Sequence, residues 1–144
     1  MYYGQSALSV EPDTLFYLQS DIFVDCVATD IETGLEFPIY DMEKLDSEKA
    51  TVIPDPYKMF LSGPNRAIIE IENPNSTTDK ELVIFRDSYA NAIAPMFFEG
   101  YNKVTLIDIR RASPQFLGHF VEFNNQDVLF MQSTLVLNDS SEMK

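Results

Sequence analysis

The run Leu82-Val-Ile-Phe85 is apolar at four consecutive positions. A strand with no polar alternation must be covered on both faces, as central strands of parallel sheets are. The run continues through Arg86-Asp-Ser88 into Tyr89–Tyr101, where Ala92, Ile93, Met96 and Phe97 recur at the 3.6-residue period of a helix. Pro95 lies inside that stretch and implies a kink or an early end. A strand that feeds directly into a helix, with Ser88 at the junction, restricts the chain to an α/β architecture.

The segments around it alternate in the same way. Ala67–Ile71, Lys103–Ile109 and Asp127–Met131 read as further strands, and Asn73–Lys80 as a polar loop. Pro114 suits a first helical turn, after which Phe116, Leu117, Phe120 and Val121 are expected to form a buried stripe. Strands alternating with helices predict βαβ units and a mainly parallel sheet. The first third differs. Thr14–Leu18, Ile22–Val27 and Leu35–Tyr40 are short apolar runs, with Asp30–Gly34 as a hairpin connection, so antiparallel strands are expected there. The expected organisation is one domain over residues 1–144: a mainly β extension at 1–54, a βαβ part at 55–138 and a polar tail at 139–144.

Composition narrows the function classes. The 144 residues carry 10 Lys and Arg against 23 Asp and Glu, a formal charge of −13. Nucleic-acid affinity comes largely from cations that displace counterions, so this balance argues against a nucleic-acid partner. The single Cys26 excludes an internal disulfide and a multi-cysteine zinc site. It lies in the apolar run Ile22–Val27 and reads as a buried structural thiol. Carboxylates at Asp41, Glu43, Asp46 and Glu48 lack the spacing of a calcium loop, so no metal is assigned. No cofactor motif is present: Walker, G-x-G-x-x-G, H-E-x-x-H and G-x-S-x-G patterns are all missing. No apolar run approaches the roughly 20 residues of a spanning helix, and Met1–Ser6 does not resemble a signal peptide.

In an open parallel sheet, ligands bind beyond the carboxyl ends of the strands. That rule selects Asp87 and Ser88 after one strand, Arg110 and Arg111 after the next, and Gln132 and Ser133 after the last. Ser88 precedes a helix, whose first N–H groups and dipole can stabilise an oxyanion. The same position also describes an ordinary N-cap. In Leu61-Ser-Gly-Pro-Asn65, Gly63 and Asn65 are either oxyanion donors or simply turn residues. A serine nucleophile needs a base. The one histidine, His119, falls off the apolar face of its helix and should point outward, away from the strand ends.

Asp55-Pro-Tyr-Lys-Met-Phe-Leu-Ser-Gly-Pro-Asn65, Leu82–Asn91 with Pro95 following, Val104–Arg110 and Asp127–Met131 together resemble the C-terminal portion of DHHW proteins. That bacterial family is similar to the SGNH-like domains of alginate O-acetylation proteins. The resemblance spans about residues 4–138. It implies an incomplete SGNH-hydrolase-like fold in three layers, α/β/α, with Ser88 in the nucleophile position. Arg110 would orient substrate, and Gly63, Asn65, Asp87 and Gln132 would belong to the substrate or oxyanion site. The Asp and His partners of such relatives lie upstream, in a D-H-H-W stretch that this sequence lacks. The chain therefore reads as a truncated, split or degenerate member. Arg111-Ala112 also stands where aromatic residues are expected. The implied activity is that of an esterase or O-acyltransferase on an acylated glycan of the cell envelope, without a base of its own. The alternative is a non-catalytic binding or structural domain.

Overall fold

The computed structural model describes residues 14, 16–45 and 55–138. Six strands form one mixed sheet: β1 (Val27–Asp30), β2 (Leu35–Phe37), β3 (Ile68–Glu72), β4 (Glu81–Arg86), β5 (Lys103–Asp108) and β6 (Asp127–Met131). Their order across the sheet is β2-β1-β3-β5-β4-β6. Pairs β5–β4 and β4–β6 are parallel; β1–β2, β1–β3 and β3–β5 are antiparallel. The expectation of a mainly parallel sheet thus holds only for three strands. The reason lies in the connections. The loop between β3 and β4 contains no helix, and a short loop returns the chain antiparallel, whereas parallel pairing needs a longer crossover.

The hairpin expected at Asp30–Gly34 joins β1 to β2. Asp30 Oδ1 accepts the N–H groups of Glu32 and Thr33, and the Gly34 N–H donates to Asp30 O at 2.7 Å. Gly34 has φ +71°, in the left-handed region open to glycine. The other two N-terminal strands are not formed among the described residues. Thr14 and 16–18 are irregular, and Asp21–Val24 is a 3₁₀ turn with the Ser20 hydroxyl accepting from the Ile22 N–H. The turn shortens the expected Ile22–Val27 strand to its last residue. Cys26 is buried as expected, and its thiol donates to Ile22 O at 3.2 Å. Met42–Leu45 forms a 3₁₀ turn; residues 46–49 and the 139–144 tail lie outside the described residues.

The helices are shorter than their patterns suggest. Helix α1 (Ala90–Ile93) passes into a 3₁₀ turn, Ala94–Phe97, at Pro95, which supplies no N–H to continue the ladder. Its buried side is Ala90, Asn91, Ala94, Pro95 and Phe98, while Ile93 and Met96 are exposed. The apolar stripe read from the sequence is therefore displaced, because a 3₁₀ turn advances the chain 120° per residue rather than 100°. Pro114–His119 is likewise a 3₁₀ turn; Leu117 and Val121 are buried, but Phe116 and Phe120 are 58% and 44% exposed. A short helix, α2 (Thr134–Asn138), follows β6.

Strand alternation divides the core into two clusters. Ala28, Ile69, Ile71, Leu82, Ile84, Val104 and Leu106 pack with Ala94 and Phe98. Ile68, Val83 and Ile107 pack with Ala112, Leu117 and Val121. The registers Leu82↔Val104 and Ile84↔Leu106 against Val83↔Thr105 and Phe85↔Ile107 put these sets on opposite faces. This double covering explains the unbroken apolar run in β4.

Candidate functional site at the β4–α1 junction

The carboxyl end of β4 is fixed by Asp87, which is buried. Its Oδ1 accepts the Tyr89 N–H at 3.0 Å and its Oδ2 accepts the Ser133 N–H at 2.6 Å. The Asp87 N–H donates to Met131 O at 3.3 Å. The junction is therefore tied on both sides of Gln132 to the end of β6. These bonds also decide which residue caps the turn: the carboxylate of Asp87, not the hydroxyl of Ser88. Ser88 is half-buried, and neither its hydroxyl nor its N–H bonds another described residue. Its carbonyl is held by the Tyr57 hydroxyl at 2.7 Å and by the Asn91 N–H at 3.2 Å.

Loop 61–65 is brought to the junction by Asn91, whose Nδ2 donates to Gly63 O at 3.1 Å. Leu61, Ser62 and Gly63 all have positive φ, at 51°, 52° and 98°. Three consecutive left-handed residues, two of them not glycine, store strain that the surrounding contacts must hold. The Gly63 N–H donates to Phe60 O at 3.0 Å, and the next residue, Pro64, has none. Gly63 thus shapes the loop but has its donor engaged. Asn65 is exposed, and its Oδ1 accepts from Arg111 Nη2 at 3.1 Å, which leaves the Nδ2 end of the amide as a donor.

Beyond β5, one buried carboxylate gathers the arginines. Asp108 takes Arg110 bidentately, Nε to Oδ1 at 2.9 Å and Nη2 to Oδ2 at 2.7 Å. Arg86 Nη1 and Arg111 Nε lie 3.6 and 3.9 Å from Asp108 Oδ2. Arg86 is wholly buried, and burial pushes its guanidinium down to about 10; Asp108 opposes that shift, and the charges of Arg110 and Arg111 add to it. Arg86 Nη2 donates to Arg66 O at 2.9 Å, which ties β4 to the start of β3. Arg110 is therefore packed against the protein's own carboxylate.

The buried Gln132 Nε2 and Asn91 Oδ1 find no hydrogen-bond partner among the described residues. His119 lies on the exposed turn beside Phe116, with ring centroids 6.1 Å apart, and makes no bond to Ser88. Among the described residues, no three His, Cys, Asp or Glu side chains group to hold a metal ion. No helix there is long and apolar enough to cross a membrane.

Sequence reasoning placed Asp87, Ser88, Gly63 and Gln132 around one junction. It missed Asn91 and Tyr57, which do the positioning. Asn91 stands three residues after Ser88, one helical turn on, and that spacing was the available signal.

No family model and no curated protein matches the chain. Solved structures do. The structure of Bacillus cereus PatB1 is 22% identical with a TM-score of 0.54, over 83% of this chain and 38% of that one. PatB1 with a sulfonyl adduct gives 21% and 0.53, over 83% and 40%. A DHHW family protein from Eubacterium siraeum gives 26% and 0.52, over 82% and 38%. The chain resembles DHHW proteins in fold. It spans about two fifths of the length of these structures.

Proposed function

We propose that the β4–α1 junction is the nucleophile-bearing part of an SGNH-like esterase or O-acyltransferase whose substrate is an acylated cell-envelope glycan. The observation that carries this reading is the division of labour at the junction. Asp87 does the capping, so the half-buried hydroxyl of Ser88 has no structural bond to break before it reacts. The DHHW-like fold supports it, and so does the sulfonyl adduct of PatB1, since sulfonylation is a reaction of activated nucleophiles.

In this mechanism Ser88 Oγ attacks the acyl carbonyl carbon and its proton passes to a base. The negative charge that develops on the carbonyl oxygen is met by the Ser88 N–H and Asn65 Nδ2. Collapse expels the first alcohol and leaves the acyl group on Ser88. Water or a sugar hydroxyl then attacks that ester, and the serine regains its proton. Arg110, held by Asp108, forms a cationic wall rather than a mobile clamp. Gln132 contributes the buried amide donor behind the junction.

The isolated chain lacks the base, because His119 is elsewhere. It should hydrolyse p-nitrophenyl acetate no faster than its Ser88→Ala variant. In a longer chain that carries an Asp-His pair, a fluorophosphonate probe should label Ser88 and lose that label in Ser88→Ala. Equal labelling of the two would refute the nucleophile assignment. The alternative, a non-catalytic binding domain, is favoured by that same missing base and would leave both chains unlabelled.

A further inference from the structure

We infer, on the reading of the substrate as a glycan, that the cavity beside the Pro114–His119 turn holds one uncharged sugar ring. The cavity measures about 520 Å³, within the range of small-molecule sites. Its apolar floor is Ile68, Ala112 and Leu117, which belong to the core cluster on the sheet face away from α1. Phe116 and Phe120 line it as well, and both stay exposed although their spacing promises burial. Arg111, Glu32, Ser113 and His119 supply the polar lining. Among the described residues, the Ser113 hydroxyl and the His119 ring make no hydrogen bond, so both are available to a ligand.

The lining decides the class of ligand. An anion drawn to Arg111 meets the carboxylate of Glu32, and a cation drawn to Glu32 meets Arg111. A wholly apolar molecule, such as an acyl chain, would strip water from the polar residues and return no hydrogen bond. A sugar ring is uncharged, and its hydroxyls both donate and accept. Arg111 can donate to them, Glu32 can accept, and Ser113 and His119 can do either. The slightly positive C–H groups of the ring suit the negative face of an aromatic side chain, which Phe116 and Phe120 offer. Position ties the cavity to the reaction. Arg111 follows β5, the strand paired directly with β4, so the cavity opens at the same sheet edge as Ser88. Arg111 Nη2 also donates to Asn65 Oδ1 at 3.1 Å, and Asn65 is the residue set against the developing oxyanion. A ring bound against Arg111 therefore lies one side chain away from that donor.

The test titrates this chain with two uncharged probes, cellotriose and triacetylchitotriose, and follows backbone amide resonances. At least one of them should shift Ala112, Ser113 and Phe116 with a dissociation constant on the order of 1 mM, and leave Val128–Phe130 unmoved. Phe116→Ala truncates an exposed ring, so the fold stands, and should weaken binding about tenfold. Ser88→Ala should bind as the parent chain does. No shift with either probe overturns the inference, and so does equal binding by Phe116→Ala. Tighter binding of benzoate at the same amides also overturns it, because the site would then be one for anions. Since the readout is binding, sugar bound without labelling of Ser88 in the longer chain counts against the proposed activity and leaves the subsite standing. Labelling of Ser88 without sugar binding does the reverse.

Discussion

At the scale of single residues, Ser88 and Asp87 can be separated by stability alone. Asp87 satisfies two backbone N–H groups from a buried position, so Asp87→Ala should cost roughly 2–3 kcal/mol. Ser88→Ala removes a hydroxyl with no described partner and should stay within about 0.5 kcal/mol. Urea unfolding of both variants decides the matter; a large loss for Ser88→Ala would return the serine to a capping role. Cys26 gives a pH-dependent counterpart. Burial, with a smaller push from Asp25, raises its thiol from 9.0 to about 11. The folded state then keeps a proton that the unfolded state releases, so stability is full below pH 9 and falls as pH rises towards 11. The loss should be on the order of 2 kcal/mol, and Cys26→Ala should flatten it in melts recorded from pH 8 to 11.

At the scale of elements, the contrast between β4 and the helices shows what the sequence could disclose. Leu82–Phe85 announced a doubly covered strand because burial on both faces leaves no polar alternation, and the strand is where the pattern put it. The antiparallel pairing of β3 could not be read from Ala67–Ile71, since a short apolar strand looks alike in either direction; the helix-free loop after it held the information. The stripes Ala92–Phe97 and Phe116–Val121 assumed 100° per residue, and both segments proved largely 3₁₀. At the site, Ser88 and Asp87 followed from the strand-end rule. The Asp108 network was hidden, because nothing in Asp108-Ile-Arg-Arg111 says that one carboxylate turns back onto arginines of two strands. That network predicts an asymmetry. Asp108→Asn leaves the wholly buried Arg86 without its counter-charge and should cost roughly 3–5 kcal/mol. Arg111→Gln removes a half-exposed partner of the same carboxylate and should cost less than about 1 kcal/mol. Equal losses in thermal melts would show that Asp108 acts through Arg111 instead.

At the scale of the whole molecule, charge and apolar exposure oppose each other. A formal charge of −13 keeps copies apart at pH 7, although among the described residues β6 is an unprotected edge strand whose Phe130 and Val128 are exposed. The sequence pI is about 4.2, so acidification removes that repulsion and leaves the apolar surface in place. Light scattering should therefore rise sharply between pH 5 and 4, both through loss of net charge and through protonation of the carboxylates that solvate the surface. Added salt at pH 7 should produce a weaker rise, because it screens the charge without neutralising it. Phe130→Lys tests the structural half of the argument. Its single added charge moves the net value only from −13 to −12, too little to change long-range repulsion, but it places a lysine in the middle of the open edge. If β6 is the contact through which copies meet, scattering near pH 4.2 should fall several-fold in that variant, while a lysine at exposed Leu35 on the opposite edge, at the same net charge, should leave it unchanged. The same curve for both variants would mean that association follows net charge alone and that the β6 edge has no special part in it.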